Sequence, residues 1–186
     1  MSTLHVENLK GLSSGGNANK IIVPSGQTID ASAGTLVPSA GQIVQNVVGS
    51  KWTTQTVNNT TSYVDLTSLA ITPKYSNSLI KVMFHYMAGG GHALRLYRDS
   101  TVVFQPTNTY MIYDGYEYTN QQAWNNNSHR RIQYMSFVDT PSSTSAVTYK
   151  WQAAPYRANN NTGVGFNELT TSGGAYSYME ILEIKQ

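Results

Sequence analysis

Beyond about residue 50, apolar and polar positions repeatedly alternate with a period of two. In Ile80-Lys81-Val82-Met83-Phe84-His85-Tyr86, one face reads Ile80, Val82, Phe84 and Tyr86, as a strand lying on a core requires. Gly89-Gly90-Gly91 then breaks the run. Leu94 to Arg98, Asp99-Ser100 and Thr101 to Phe104 predict a hairpin with a short polar turn. Arg131 to Val138 sets Ile132, Tyr134, Ser136 and Val138 on one side, and Pro141 to Ser145 reads as a turn. Val147 to Ala153 alternates again, and Tyr176 to Ile184 predicts a last strand. No long window carries apolar residues at helical spacing between caps. Short strands separated by turns predict an all-β chain whose larger part is an antiparallel β-sandwich, jelly-roll-like.

Residues 1–48 follow another pattern. They hold no Trp, Tyr or Phe and are rich in Gly, Ser, Ala and Asn. Aliphatic clusters recur at Ile21-Ile22-Val23, Ile29, Leu36-Val37, Ile43-Val44 and Val47-Val48. Val23-Pro24-Ser25-Gly26-Gln27 returns as Val37-Pro38-Ser39-Ala40-Gly41-Gln42, with one residue inserted. A single chain of this kind cannot bury its apolar side, so an extended β segment intertwined with neighbours is expected. A Gly/Ser linker is the competing reading, and the regular clusters count against it. The chain thus divides into an N-terminal attachment or shaft segment, 1–48, and a C-terminal β-sandwich head, 49–186. The head carries all three Trp, thirteen Tyr and four Phe.

Composition narrows the function. Charged residues make up 12% of the 186 residues, about half the ~25% of an ordinary soluble domain. Such a surface cannot keep copies apart by charge, so its edges must be closed or paired. The net charge is +2 and only Arg130-Arg131 stand together, which gives no basic stripe for nucleic acid. The absence of cysteine excludes disulfides, thiolate zinc sites and a Cys nucleophile. Oligomerisation then becomes the expected source of robustness. Met1-Ser2-Thr3-Leu4-His5 lacks the basic start and apolar run of a signal peptide. No run approaches the ~18 apolar residues of a membrane span. Synthesis in a cytoplasm without membrane insertion is expected.

Candidate chemistry is sparse. His5, His85, His92 and His129 form no metal-binding pair, and no cofactor motif is present. Glu180 and Glu183 fall on opposite faces of the last strand. Asp114 and Glu117 could be imagined as a glycosidase pair, but sit in a stretch that reads as a solvated loop. No catalytic residues are assigned. The surface candidate is Tyr110 to Trp124 with the asparagines after it: Tyr110, Tyr113, Asp114, Tyr116, Tyr118, Trp124 and Asn126. Aromatic faces stack on sugar C–H groups while amides and carboxylates bond the hydroxyls. Packing in the core or between subunits is the alternative role for these rings. Trp151, Tyr156, Arg157 and Asn159 to Asn161 form a second, weaker candidate.

Several stretches resemble fibre-like structural proteins of tailed phages, many of them marine. These are Met1-Ser2-Thr3-Leu4, Ile29 to Gln45, Leu69 to Val82, Phe137 to Lys150 and the closing Met179-Glu180-Ile181. The similarity spans most of the chain and is structural wording rather than an active-site signature. It implies a non-enzymatic virion protein, a short homotrimeric tail fibre. Its N-terminal segment would engage other phage tail or virion proteins, and its head would face host surface glycan. An adaptor or decoration protein that joins tail or capsid components without touching a receptor fits the same residues. A depolymerase would need paired carboxylates on a long β-helix, and neither is found. A bacterial lectin-like module is disfavoured by the missing signal peptide.

Overall fold

The computed structural model describes residues 11, 13–16, 18, 20–28, 37–49, 55–57, 62–89, 92–105, 131–155, 164–166 and 177–186. The chain forms two compact units, Met1–Val37 and Pro38–Gln186. The described part of the first holds turns and extended chain without a strand. One turn closes where Gln27 N donates to Pro24 O at 3.1 Å, with Gly26 at φ 80°. Gly11 approaches the backbone of Lys20 so closely that a Cβ there would collide with it.

The described residues of the second unit form ten strands: β1 Ile43–Val48, β2 Gln55–Val57, β3 Val64–Ile71, β4 Leu79–Gly89, β5 His92–Arg98, β6 Thr101–Phe104, β7 Arg131–Asp139, β8 Val147–Pro155, β9 Val164–Phe166 and β10 Tyr178–Ile184. No helix occurs among the described residues. All pairings among the described residues are antiparallel, and five of them are nested, β2–β9 included. β1 pairs with β10, β3 with β8, β4 with β7 and β5 with β6. The chain is therefore one long ribbon folded back at the β5–β6 turn; β1–β10, β3–β8, β4–β7 and β5–β6 fall alternately in two sheets, and the short β2–β9 pair joins the first of them. One sheet runs β1-β10-β4-β7, extended by β9 and β2, and the other runs β3-β8-β5-β6. This winding is that of a jelly roll. The aromatic-free strand β1 is part of it, so the rise in aromatic content at residue 52 does not mark where the sheet begins.

Alternation decides which side chains meet between the sheets. Ile80, Val82, Phe84 and Tyr86 of β4 face Leu94 and Leu96 of β5 and Tyr149, Trp151 and Ala153 of β8 across one buried cluster. The Phe84 ring stacks on Trp151 at 5.7 Å between centroids and on Tyr86 at 4.7 Å. Trp151 Nε1 has no hydrogen-bond partner among the described residues; the indole contributes volume and ring contact. The hairpin expected at Asp99-Ser100 is present, with Arg98 opposite Thr101. Asp99 sits at φ 52°, and its Oδ1 accepts from Thr148 N at 2.8 Å.

Polar groups clamp the sandwich at both ends. Arg98 Nη1 donates to the two Asp139 oxygens at 3.1 and 2.8 Å, and Tyr149 OH donates to Asp139 Oδ2 at 2.7 Å. At the other end Tyr86 OH donates to Gln133 Oε1 at 2.7 Å and meets His92 Nε2 at 3.0 Å. Burial raises both phenols above their ordinary range, and the Asp139 hydrogen bond raises Tyr149 further.

Candidate functional site

The residues singled out for sugar binding, Tyr110, Tyr113, Asp114, Tyr116, Tyr118, Trp124 and Asn126, lie outside the described residues. So do Tyr156, Arg157 and Asn159 to Asn161 of the second candidate. Trp151, the remaining member of that second set, is fully buried between the sheets and is a core residue. Two histidines can be placed. His92 is buried against Tyr86. His85 stacks on Tyr178 at 4.4 Å and tilts against Tyr134 at 4.7 Å. Among the described residues no three His, Cys, Asp or Glu converge as metal ligands, and no helix is long and apolar enough to cross a membrane.

The described chemistry lies on the two outer faces of the sandwich. Because Leu94, Leu96, Tyr149 and Trp151 point into the core, their neighbours Arg95, Tyr97, Lys150 and Gln152 point out of the four-stranded sheet. The register sets Arg95 opposite Gln152 and Tyr97 opposite Lys150, and brings Asp65 of β3 opposite Gln152 from the other side. A relay of hydrogen bonds follows. Arg95 Nε donates to Gln152 Oε1 at 2.6 Å, Gln152 Nε2 donates to Asp65 Oδ1, and Lys150 Nζ donates to Asp65 Oδ2 at 3.1 Å. The Arg95 guanidinium lies 4.1 Å from the Tyr63 ring centroid and 5.0 Å from that of Tyr97, with Lys150 Nζ 5.5 Å from the latter. Each such contact stabilises by about 0.5–1 kcal/mol at an exposed site. The Gln152 hydrogen bond, opposed by partial burial and aided by Lys150 and Arg95, holds the Asp65 carboxyl below its ordinary range. Burial raises the Tyr63 phenol, and the Arg95 charge offsets part of that.

The outer face of the larger sheet is different. Ile132, Tyr134, Ser136 and Val138 of β7 do share a side, as the alternation predicts, but it is the exposed one. Phe137 and Met135 lean on the core instead. Next to this stripe stand Lys81 and His85 on β4 and Glu180 on β10, by register. Glu180 accepts from Asn46 at 2.8 Å. Glu183, three residues on and on the opposite face as expected, is fully buried.

The patch at Arg95 was within reach of the sequence only in part. Arg95-x-Tyr97 and Lys150-x-Gln152 each announce one polar face. Their meeting depends on the β5–β8 register, which alternation alone does not set.

No family model and no curated protein matches the chain. Among solved structures it is similar to a chain in the structure of infectious bursal disease virus Gt strain, with a TM-score of 0.45, 8% identity, and coverage of 88% of this chain and 38% of that one. A chain in the structure of infectious bursal disease virus Gx strain gives a TM-score of 0.33 at 9% identity, over 88% of this chain and 47% of that one. The chain spans less than half the length of either.

Proposed function

We propose that the chain is a non-enzymatic structural protein of a bacteriophage particle, a short homotrimeric fibre that contributes to host-surface attachment. The observation that carries this reading is the apolar surface that one copy leaves in water. Ile22 and Val37 of the first unit are 57% and 70% exposed, and Ile132 on the outer face of β7 is 84% exposed. On β7 itself Ile132, Tyr134 and Val138 line one exposed face; an apolar stripe of this kind marks a protein contact, and the low charge content offers nothing to keep copies apart. The occupant of the β7 face is a second copy of this chain. The stripe itself is uncharged, and the charged groups beside it, Lys81 and Glu180, are opposite in sign. Copies related by rotation can therefore set one against the other. A jelly roll is a fold used by viral capsid and lectin domains, which is consistent with the reading at the level of analogy.

In this reading the first unit attaches to other virion proteins, and the head presents three copies of a weak surface site, whose linkage raises avidity. Native mass by light scattering tests the assembly. The full chain is expected as a trimer at micromolar concentration, and Ile132→Lys, which alters no core contact, as a species of lower mass. A wild-type monomer would overturn the fibre and favour the single-copy adaptor. The attachment role of the aromatic stretch has its own test, adsorption to host cells by particles carrying Tyr116→Ala with Trp124→Ala. Unchanged adsorption removes that stretch from the account.

A further inference from the structure

We propose that the outer face of the four-stranded sheet holds a recognition site for the carboxylate of an acidic saccharide, with Arg95 as the group that receives it. The choice of a saccharide rests on the attachment role proposed above; the anion site itself rests on the geometry. Among the described residues Arg95 uses only Nε, toward Gln152 at 2.6 Å. Its Nη1 and Nη2 make no hydrogen bond to any described residue, although a carboxylate, that of Asp65, stands on the same face. Gln152 keeps the two apart. Its carbonyl oxygen takes the Arg95 Nε–H, and its amide nitrogen takes Asp65. Were Asp65 directly against Arg95, the guanidinium fork would be satisfied within the chain. As built, no described residue occupies it.

The fork is also held in place. Tyr63 at 4.1 Å and Tyr97 at 5.0 Å restrict the guanidinium plane, so less side-chain entropy is lost when a planar anion docks. Among the described residues Arg95 and Lys150 against Asp65 leave one net positive charge on this face, matched to a single carboxylate rather than to a row of phosphates. The tyrosine rings bordering the fork supply apolar edges for the sugar ring that carries the carboxylate.

The experiment is calorimetric titration of the full chain with an oligogalacturonate, with its methyl ester and with inorganic sulfate. Binding of the acid form is expected, with the ester weaker by roughly tenfold or more, since a charge-assisted pair is lost. Arg95→Gln is expected to weaken the acid form by a similar factor. Asp65→Asn removes the competing negative charge and is expected to tighten binding severalfold, an outcome that misfolding cannot imitate. Equal binding of acid and ester, or an unchanged Arg95→Gln, would overturn the site. Sulfate binding as tightly as the oligosaccharide would overturn the saccharide. Native mass on the same samples separates this proposal from the fibre. A monomer that binds oligogalacturonate keeps the site and loses the fibre, and a trimer that does not bind does the reverse.

Discussion

Glu183→Gln tests how the end of the sandwich near the chain's last strand is held. Glu183 is fully buried, yet its carboxylate is well supplied with donors. Oε1 accepts from Lys74 N at 2.8 Å, Tyr75 N at 3.1 Å and Ser78 Oγ at 2.7 Å. Oε2 accepts from Gln45 Nε2 at 2.6 Å, and that same amide donates to Thr72 O at 2.8 Å. The group therefore ties β1, β10 and the turn before β4 together. Burial by itself raises the Glu183 carboxyl, but the bonds from Ser78, Lys74, Gln45 and Tyr75 outweigh it and hold the group below its ordinary range. A glutamine can keep its oxygen toward the turn, but its NH2 then faces the Gln45 amide. Turning Gln45 over would orphan Thr72 O. The two bonds to Oε2, from Gln45 and the second one from Lys74 N, are lost and the three to Oε1 become neutral, against some relief of desolvation. The net cost is about 2–4 kcal/mol at pH 7. At ~2–4 °C per kcal/mol for a chain of this size, the midpoint of thermal unfolding falls by roughly 4–16 °C. The assay is thermal and urea unfolding of both proteins at one fixed concentration, since assembly shifts apparent stability. The folded carboxyl is depressed, so its stabilisation is complete above the unfolded value and disappears as pH falls through the folded one. The gap between the proteins should therefore narrow below about pH 4.3. A variant within about 0.5 kcal/mol of wild type at pH 7, or a gap that ignores acidification, would refute the reasoning.

Other outcomes follow from the same contacts. Trp151→Ala, which opens a cavity against Phe84 and Phe104, is expected to cost about 3–5 kcal/mol in urea unfolding. Asp139→Asn weakens the Arg98 and Tyr149 bonds that join the sheets, and a loss of about 1–3 kcal/mol is expected by the same measurement. At the β5–β6 turn, Asp99→Ala loses the bond to Thr148 and keeps the positive φ, so it should cost about 1–2 kcal/mol, and Asp99→Gly less. The reverse order in thermal midpoints would contradict the account of that turn.

Much of the fold was legible because alternation is a local signal. Ile80 to Tyr86 and Val147 to Ala153 announce both their strand character and the faces they bury. β7 shows where this stops. Its apolar positions Ile132, Tyr134 and Val138 alternate as a core face would, yet they point outward, while Gln133 and Asp139 on the inner side find partners in Tyr86 and Arg98. Periodicity reports that a strand has two faces; which one is inside depends on partners far along the chain. The Arg95 patch was hidden for the same reason. Glu183 reads locally as one more acid of an alternating strand, and only the turn at Lys74 to Ser78 makes its burial tolerable.

The nesting of the strand pairs also bears on the order in which the head forms. Only the β5–β6 pair is local in sequence, and the cost of closing a loop rises with its length. With that tip made, β4 and β7 are expected to pair next, then β3 and β8, then β2 and β9, and the β1–β10 pair to close last over the longest separation. Folding is accordingly slow for a domain of this size, as for other topologies dominated by non-local pairing. By the same reasoning β1 is expected to dock after the rest of the sandwich has formed. The contacts at Glu183 belong to that final step, so Glu183→Gln should hasten unfolding and leave the refolding rate almost unchanged.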